Sequence, residues 1–117
     1  MRRLPEPPFP AGLLMPAWLG DAAMASALLA PLAALCGGPL QLWCRPPHAA
    51  LFADDPRVAE VLAYDPSGRH RGLAGLRRLR RDVKASAHAP RVLWSVPDSF
   101  SAALAARVVG VPARIGF

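Results

Sequence analysis

Short apolar runs alternate along the chain with longer stretches whose apolar positions recur every three or four residues, and turn residues separate the two kinds. Leu13-Leu14-Met15 reads as a short buried strand ended by Pro16. From Asp21 a helix is expected, with Met24, Leu28, Leu29, Leu32 and Leu35 as its apolar positions, and Gly37-Gly38-Pro39 stops it. Leu40 to Cys44 is a second strand, and Pro46-Pro47 opens a short helix running to about Ala53. Val58 to Tyr64 reads as a third strand closed by Asp65-Pro66-Ser67-Gly68. A long helix follows with Leu73, Leu76, Leu79 and Val83 on one face. Arg91 to Val96 is a fourth strand, Ser99 to Val109 a helix, and Arg114 to Phe117 the start of a fifth strand.

This order, β-α-β-α-β-α-β-α-β, predicts an α/β fold: a Rossmann-like parallel sheet with helices on both faces, reached by crossover connections. Residues 1–10 read as a proline-rich, unpaired tail and residues 11–117 as the domain. The fifth strand is cut at the chain end, so an apolar sheet edge and poor solubility in isolation are expected.

Composition narrows the picture. At 117 residues the chain holds one domain, and 53% hydrophobic residues with a mean hydropathy of +0.24 exclude a disordered chain despite 14 prolines. A chemistry that needs two lobes around a cleft is not completed by such a length. The net charge of +6 is local: residues 69–84 carry seven basic residues against Asp82, and the remainder balances, seven against seven. Besides a solvated helix face, that segment fits a stand-alone basic module binding anionic lipid or nucleic acid. Nucleic acid is the weaker of the two, because no aromatics interleave the arginines.

Cys36 and Cys44 fit no metal spacing, and His48, His70 and His88 are scattered, so two buried apolar thiols are expected and no metal site. His70, between two arginines, reads as an exposed loop histidine. The stretch Ala11 to Leu35 is apolar enough to raise a membrane span, but Asp21 near its middle and Pro16 and Pro31 oppose one.

In a sheet of this kind ligands gather where strands end, so the loops after strands one, two and four come first. The first, Pro16-Ala17-Trp18-Leu19-Gly20-Asp21, has one glycine where a dinucleotide fingerprint needs three. Gly20 reads as the residue that lets the backbone turn tightly. Asp21 follows at a helix N-terminus, where free N–H groups and the dipole suit a carboxylate. It is either a plain N-cap or a general base able to take a proton from a bound hydroxyl. Trp43 and Trp94 read as core residues, and Trp18, lying in the loop, as the tryptophan best placed to touch a ligand.

Taken together, Met15-Pro16-Ala17-Trp18-Leu19-Gly20-Asp21, Val96-Pro97-Asp98-Ser99-Phe100-Ser101-Ala102-Ala103-Leu104 and Gly110-Val111-Pro112-Ala113-Arg114-Ile115-Gly116-Phe117 resemble the N-terminal domain of glycosyltransferase family 9. The pattern is most similar to the ADP-heptose:lipopolysaccharide heptosyltransferases of type II. The resemblance spans residues 12–117 and implies the partial N-terminal, acceptor-side lobe of a two-lobed GT-B enzyme. It implies an inverting, metal-independent transferase without a cofactor, with ADP-heptose as donor and the lipopolysaccharide inner core as acceptor. In that reading Asp21 is the catalytic base, and Trp18, Leu19, Gly20, Asp98 and Ser99 line the acceptor cleft. Arg69 and Arg71 face the anionic acceptor or the inner leaflet, since guanidinium pairs well with phosphate. Asp98 stands where an asparagine is common in the family, placing a charge near a phosphorylated acceptor. The donor site belongs mainly to a C-terminal lobe that nothing in the sequence matches, which implies a fragment or half of a split enzyme, inactive alone. The implied setting is the cytoplasm, with peripheral association at the inner face of the membrane and no nucleic acid partner.

Overall fold

A computed structural model of the chain describes residues 4–96 and 100–116. Five strands, β1 (Ala11–Leu14), β2 (Leu40–Cys44), β3 (Val58–Ala63), β4 (Val92–Ser95) and β5 (Ala113–Gly116), form one sheet in the order β3-β2-β1-β4-β5. All four pairings are parallel, so each return requires a crossover, supplied by the helices. These are α1 (Leu19–Ala25), α2 (Leu29–Cys36), α3 (Ala49–Phe52), α4 (Gly72–Ala85) and α5 (Phe100–Val109).

The central strands read as apolar runs because both faces are covered: every residue of β1, β2 and β4 is buried. Leu13, Leu42 and Trp94 pack with Ala22, Leu29, Leu32 and Phe52 of α1, α2 and α3 on one face. Leu14, Trp43 and Leu93 pack with Leu76, Leu79, Ala105 and Val109 of α4 and α5 on the other. Alternation along each strand thus splits the core into two layers. Each fully buried leucine contributes about 1.5–3 kcal/mol. A polar tie accompanies the second layer. Gln41 Nε2 donates to Glu60 Oε1 and to Ser86 Oγ, both at 2.9 Å, while Gln41 Oε1 accepts from Trp43 Nε1 at 2.7 Å. The buried amide is thereby satisfied, and it joins β2, β3 and the end of α4.

The expected architecture stands, and several details differ. The single helix expected from Asp21 to Leu35 is two helices joined by a 3-10 turn at Ser26–Leu28. Pro31 is the cause: a continuous helix would need its missing N–H to bond Ala27, whereas as the third residue of α2 it needs no such bond. The break leaves Met24 (78%) and Leu35 (47%) exposed, so neither is a core residue. Leu73 is also exposed, in the first turn of α4. Gly37 ends α2 with φ +83°, a left-handed turn suited to glycine, and its N–H and that of Gly38 both reach Ala33 O at 3.0 Å.

The described part of the segment before β1, residues 4–10, is docked and not unpaired. Phe9 is buried against the first layer, its ring 6.5 Å from that of Trp94, and its N–H bonds Cys36 O at 3.0 Å. No helix among the described residues is long and apolar enough to cross a membrane.

Candidate functional site

In this strand order the chain leaves β1 toward β2 on one side and leaves β4 toward β5 on the other. The loops after β1 and β4 therefore diverge and open a crevice at their carboxyl ends. Backbone bonds hold its rim: Val96 N–H reaches Leu14 O at 3.1 Å, and Met15 N–H reaches Trp43 O at 2.8 Å. A depression of about 530 Å³ lies there, lined by Pro16 after β1, Val96 after β4, and Asp21, Met24, Ala25, Ala27 and Leu28 of the α1 segment.

Among the described residues its wall is apolar except for one ionisable group, the exposed carboxylate of Asp21. Asp21 is the third residue of α1 and not its N-cap; Trp18 holds the cap position, with no side-chain capping bond. The capping explanation is thereby removed, because the helix begins two residues earlier than the sequence reading placed it. Apolar walls with one carboxylate suit a ligand that lays carbon surface on the wall and offers a hydroxyl to an acceptor of protons.

Two solved structures share this architecture. The E. coli ADP-heptose lipopolysaccharide heptosyltransferase II matches over 91% of the chain with a TM-score of 0.67 and 22% identity. The glycosyl transferase family 9 protein from Veillonella parvula DSM 2008 matches over 98% with a TM-score of 0.83 and 14% identity. The chain has the fold of one part of these glycosyltransferases. It spans about a third of their length, 30% and 34% respectively. No protein-family model matches the chain, and no curated protein does.

Within this fold the predicted site residues are distributed unevenly. Asp21 lines the crevice, while Trp18, 76% exposed beside it, is outside the lining. Leu19 opens α1. Gly20 is an ordinary helical residue whose φ is not positive, with nothing within 4 Å of an added Cβ, so no tight turn depends on it. Asp98 and Ser99 lie outside the described residues. Arg69 and Arg71 stand in the loop after β3, at the sheet edge two strands from β1, and neither lines the crevice. Met24, Leu28 and Val96 were missed as lining residues; Val96 had a legible signal in directly following a strand.

Arg69 is bound to Asp82, Nε to Oδ2 at 2.9 Å and Nη2 to Oδ1 at 2.8 Å. The same carboxylate meets His70, which is buried and not an exposed loop residue as its neighbours suggested. His70 Nδ1 accepts from the Asp65 N–H at 2.9 Å, which leaves Nε2 to donate to Asp82 Oδ2 at 2.7 Å. Arg69, chiefly through its hydrogen bond, with help from His70, holds the Asp82 carboxyl down at about 2. Burial pushes the Tyr64 phenol upward, and its ring lies 5.8 Å from His70. Both cysteines are buried, and burial pushes the Cys44 thiol up to about 11. Among the described residues no three His, Cys, Asp or Glu side chains gather as metal ligands.

Proposed function

We propose that the chain is the acceptor-binding lobe of a family 9 heptosyltransferase, working with ADP-heptose as donor and the lipopolysaccharide inner core as acceptor. The observation that carries this reading is the place of Asp21: among the described residues it is the only ionisable group lining an apolar crevice at the switch point of a fold shared with two glycosyltransferases. The three loop motifs support it independently.

In the proposed reaction an acceptor hydroxyl lies against Met24, Leu28 and Val96 and hydrogen-bonds the Asp21 carboxylate. Asp21 takes the hydroxyl proton as the oxygen bonds to the anomeric carbon of the heptose. The anomeric C–O bond to ADP breaks, its electron pair leaves with ADP, and the configuration inverts. The donor is held by a second lobe outside these 117 residues, and the work takes place at the inner face of the cytoplasmic membrane. Titrating the chain with a heptose-bearing inner-core oligosaccharide while following backbone amide resonances tests the site. Saturable shifts are expected at Asp21, Met24, Leu28 and Val96; shifts confined to other surfaces contradict it.

One observation favours a second role on the same lobe. Arg77, Arg80, Arg81 and Lys84 are exposed on α4, with no ion pair among the described residues, and share that helix with exposed Leu73. Arg69, held by Asp82, and Arg78, donating to Arg69 O at 3.3 Å, are engaged internally. Cations flanking an exposed leucine fit an anionic lipid surface, where each basic residue contributes about 1 kcal/mol. Salt-sensitive cosedimentation with phosphatidylglycerol vesicles, and not with phosphatidylcholine vesicles, is expected.

A further inference from the structure

Arg114 is the second residue of β5, the edge strand, and is in register with Leu93 of β4. Residues in register share a face, so Arg114 lies on the side of the sheet covered by α5. Its Nε and Nη2 are buried and have no hydrogen-bond partner among the described residues. A guanidinium cannot shed its charge, so buried N–H groups of this kind demand an acceptor. Every carboxylate of the described residues with a recorded arginine or histidine partner finds it elsewhere: Asp55 with Arg57, Asp82 with Arg69 and His70, Glu60 with His88.

The space beside Arg114 is a cavity of about 350 Å³ lined also by Arg107, Ala103, Ala106, Val111 and Pro112. Arg107 is exposed in the last turn of α5, where the helix dipole already favours a cation. No such reason accounts for Arg114. The cavity sits at the α5–β5 connection, the amino end of the strands, opposite the crevice that holds Asp21.

We propose that this cavity is a second ligand site, taking a small organic oxoanion. The oxygens of a carboxylate or phosphate monoester accept from Arg114 Nε and Nη2 in the side-by-side manner that a guanidinium fork offers. Arg107 adds charge at the rim, and the alanine, valine and proline walls take the carbon body. The site is independent of the chemistry at Asp21.

The test is titration of the full chain, labelled with ¹⁵N, with propionate and separately with inorganic phosphate, following the Arg114 side-chain Nε–H and the amides of Arg107, Val111 and Arg114. Saturable shifts at these groups with either probe support the site, and the tighter probe identifies the head group. Arg114→Gln weakens the response about tenfold or more, and Arg114→Lys, which keeps the charge without the fork, also weakens it. Arg107→Gln, at an exposed helical position, weakens binding by about threefold and provides a second reading should Arg114→Gln fail to fold. No saturable shift with either probe overturns the proposal, as does binding unchanged in both glutamine variants.

Discussion

His70 Nε2 donates to Asp82 Oδ2 at 2.7 Å, fastening the loop after β3 to the third turn of α4. Because Arg69 also grips that carboxylate, its pKa of about 2 lies below the ordinary value near 3.9. A carboxyl with a depressed folded pKa stabilises the fold fully above pH 4 and loses that contribution as pH falls from about 4 to about 2. Asp82 is partly solvated, so the linked contribution is about 1 kcal/mol. Urea midpoints should therefore fall steeply over that window in the native chain and more gently in Asp82→Ala. At pH 7 the same variant should lose about 1–3 kcal/mol, since a buried His70 N–H is left without an acceptor. An unchanged midpoint at pH 7 contradicts the role.

Gly75, the fourth residue of α4, is there for the same loop. A Cβ at position 75 would collide with the backbone of His70. In an open helix Gly→Ala gains up to about 1 kcal/mol. Here Gly75→Ala should instead lose about 1–3 kcal/mol through overpacking. Gly20→Ala, in the first turn of α1 with empty space around it, should be neutral or stabilising. Denaturation of the two variants side by side checks the contrast, and equal effects would refute the close approach.

Cys44 is buried and its thiol sits at about 11, so thiolate is scarce at neutral pH. Cys36 is equally buried, with Sγ 3.2 Å from Gly38 O. Iodoacetamide followed by mass spectrometry should leave both unmodified in the folded chain and label both in urea. Rapid labelling of the folded chain contradicts the packing.

Much of this was legible before any coordinates. The alternation of apolar runs with helical stretches was enough for the parallel sheet and for helices on both faces, because each element carries its own period. Leu40 to Cys44 and the stop at Gly37 were read at their true positions, since turn chemistry there is local. Longer-range effects escaped. A single helix was expected across the α1–α2 segment although Pro31 was the available signal for a break, and which apolar residues the break would turn outward depended on packing against the sheet. The burial of His70 depends on Asp82, twelve residues away, and on the absence of a side chain at Gly75. A glycine inside an arginine-rich helix, near its start, was the available signal, since such a residue costs stability unless something packs against it. At the site, the loop after β1 pointed to Asp21, but its helical position needed the helix start to be known. Met24 and Leu28 line the crevice because α1 breaks at Ser26.

The central claim is that Asp21 takes the proton from the acceptor hydroxyl. The most direct measurement is the rate of heptose transfer from ADP-heptose to inner-core acceptor by Asp21→Asn, with the donor lobe supplied. Loss of a general base predicts kcat lower by about 10²- to 10⁴-fold, with ADP-heptose binding nearly unchanged. Turnover within about threefold of the parent enzyme, where general-base loss demands far more, would contradict it and remove Asp21 from the reaction.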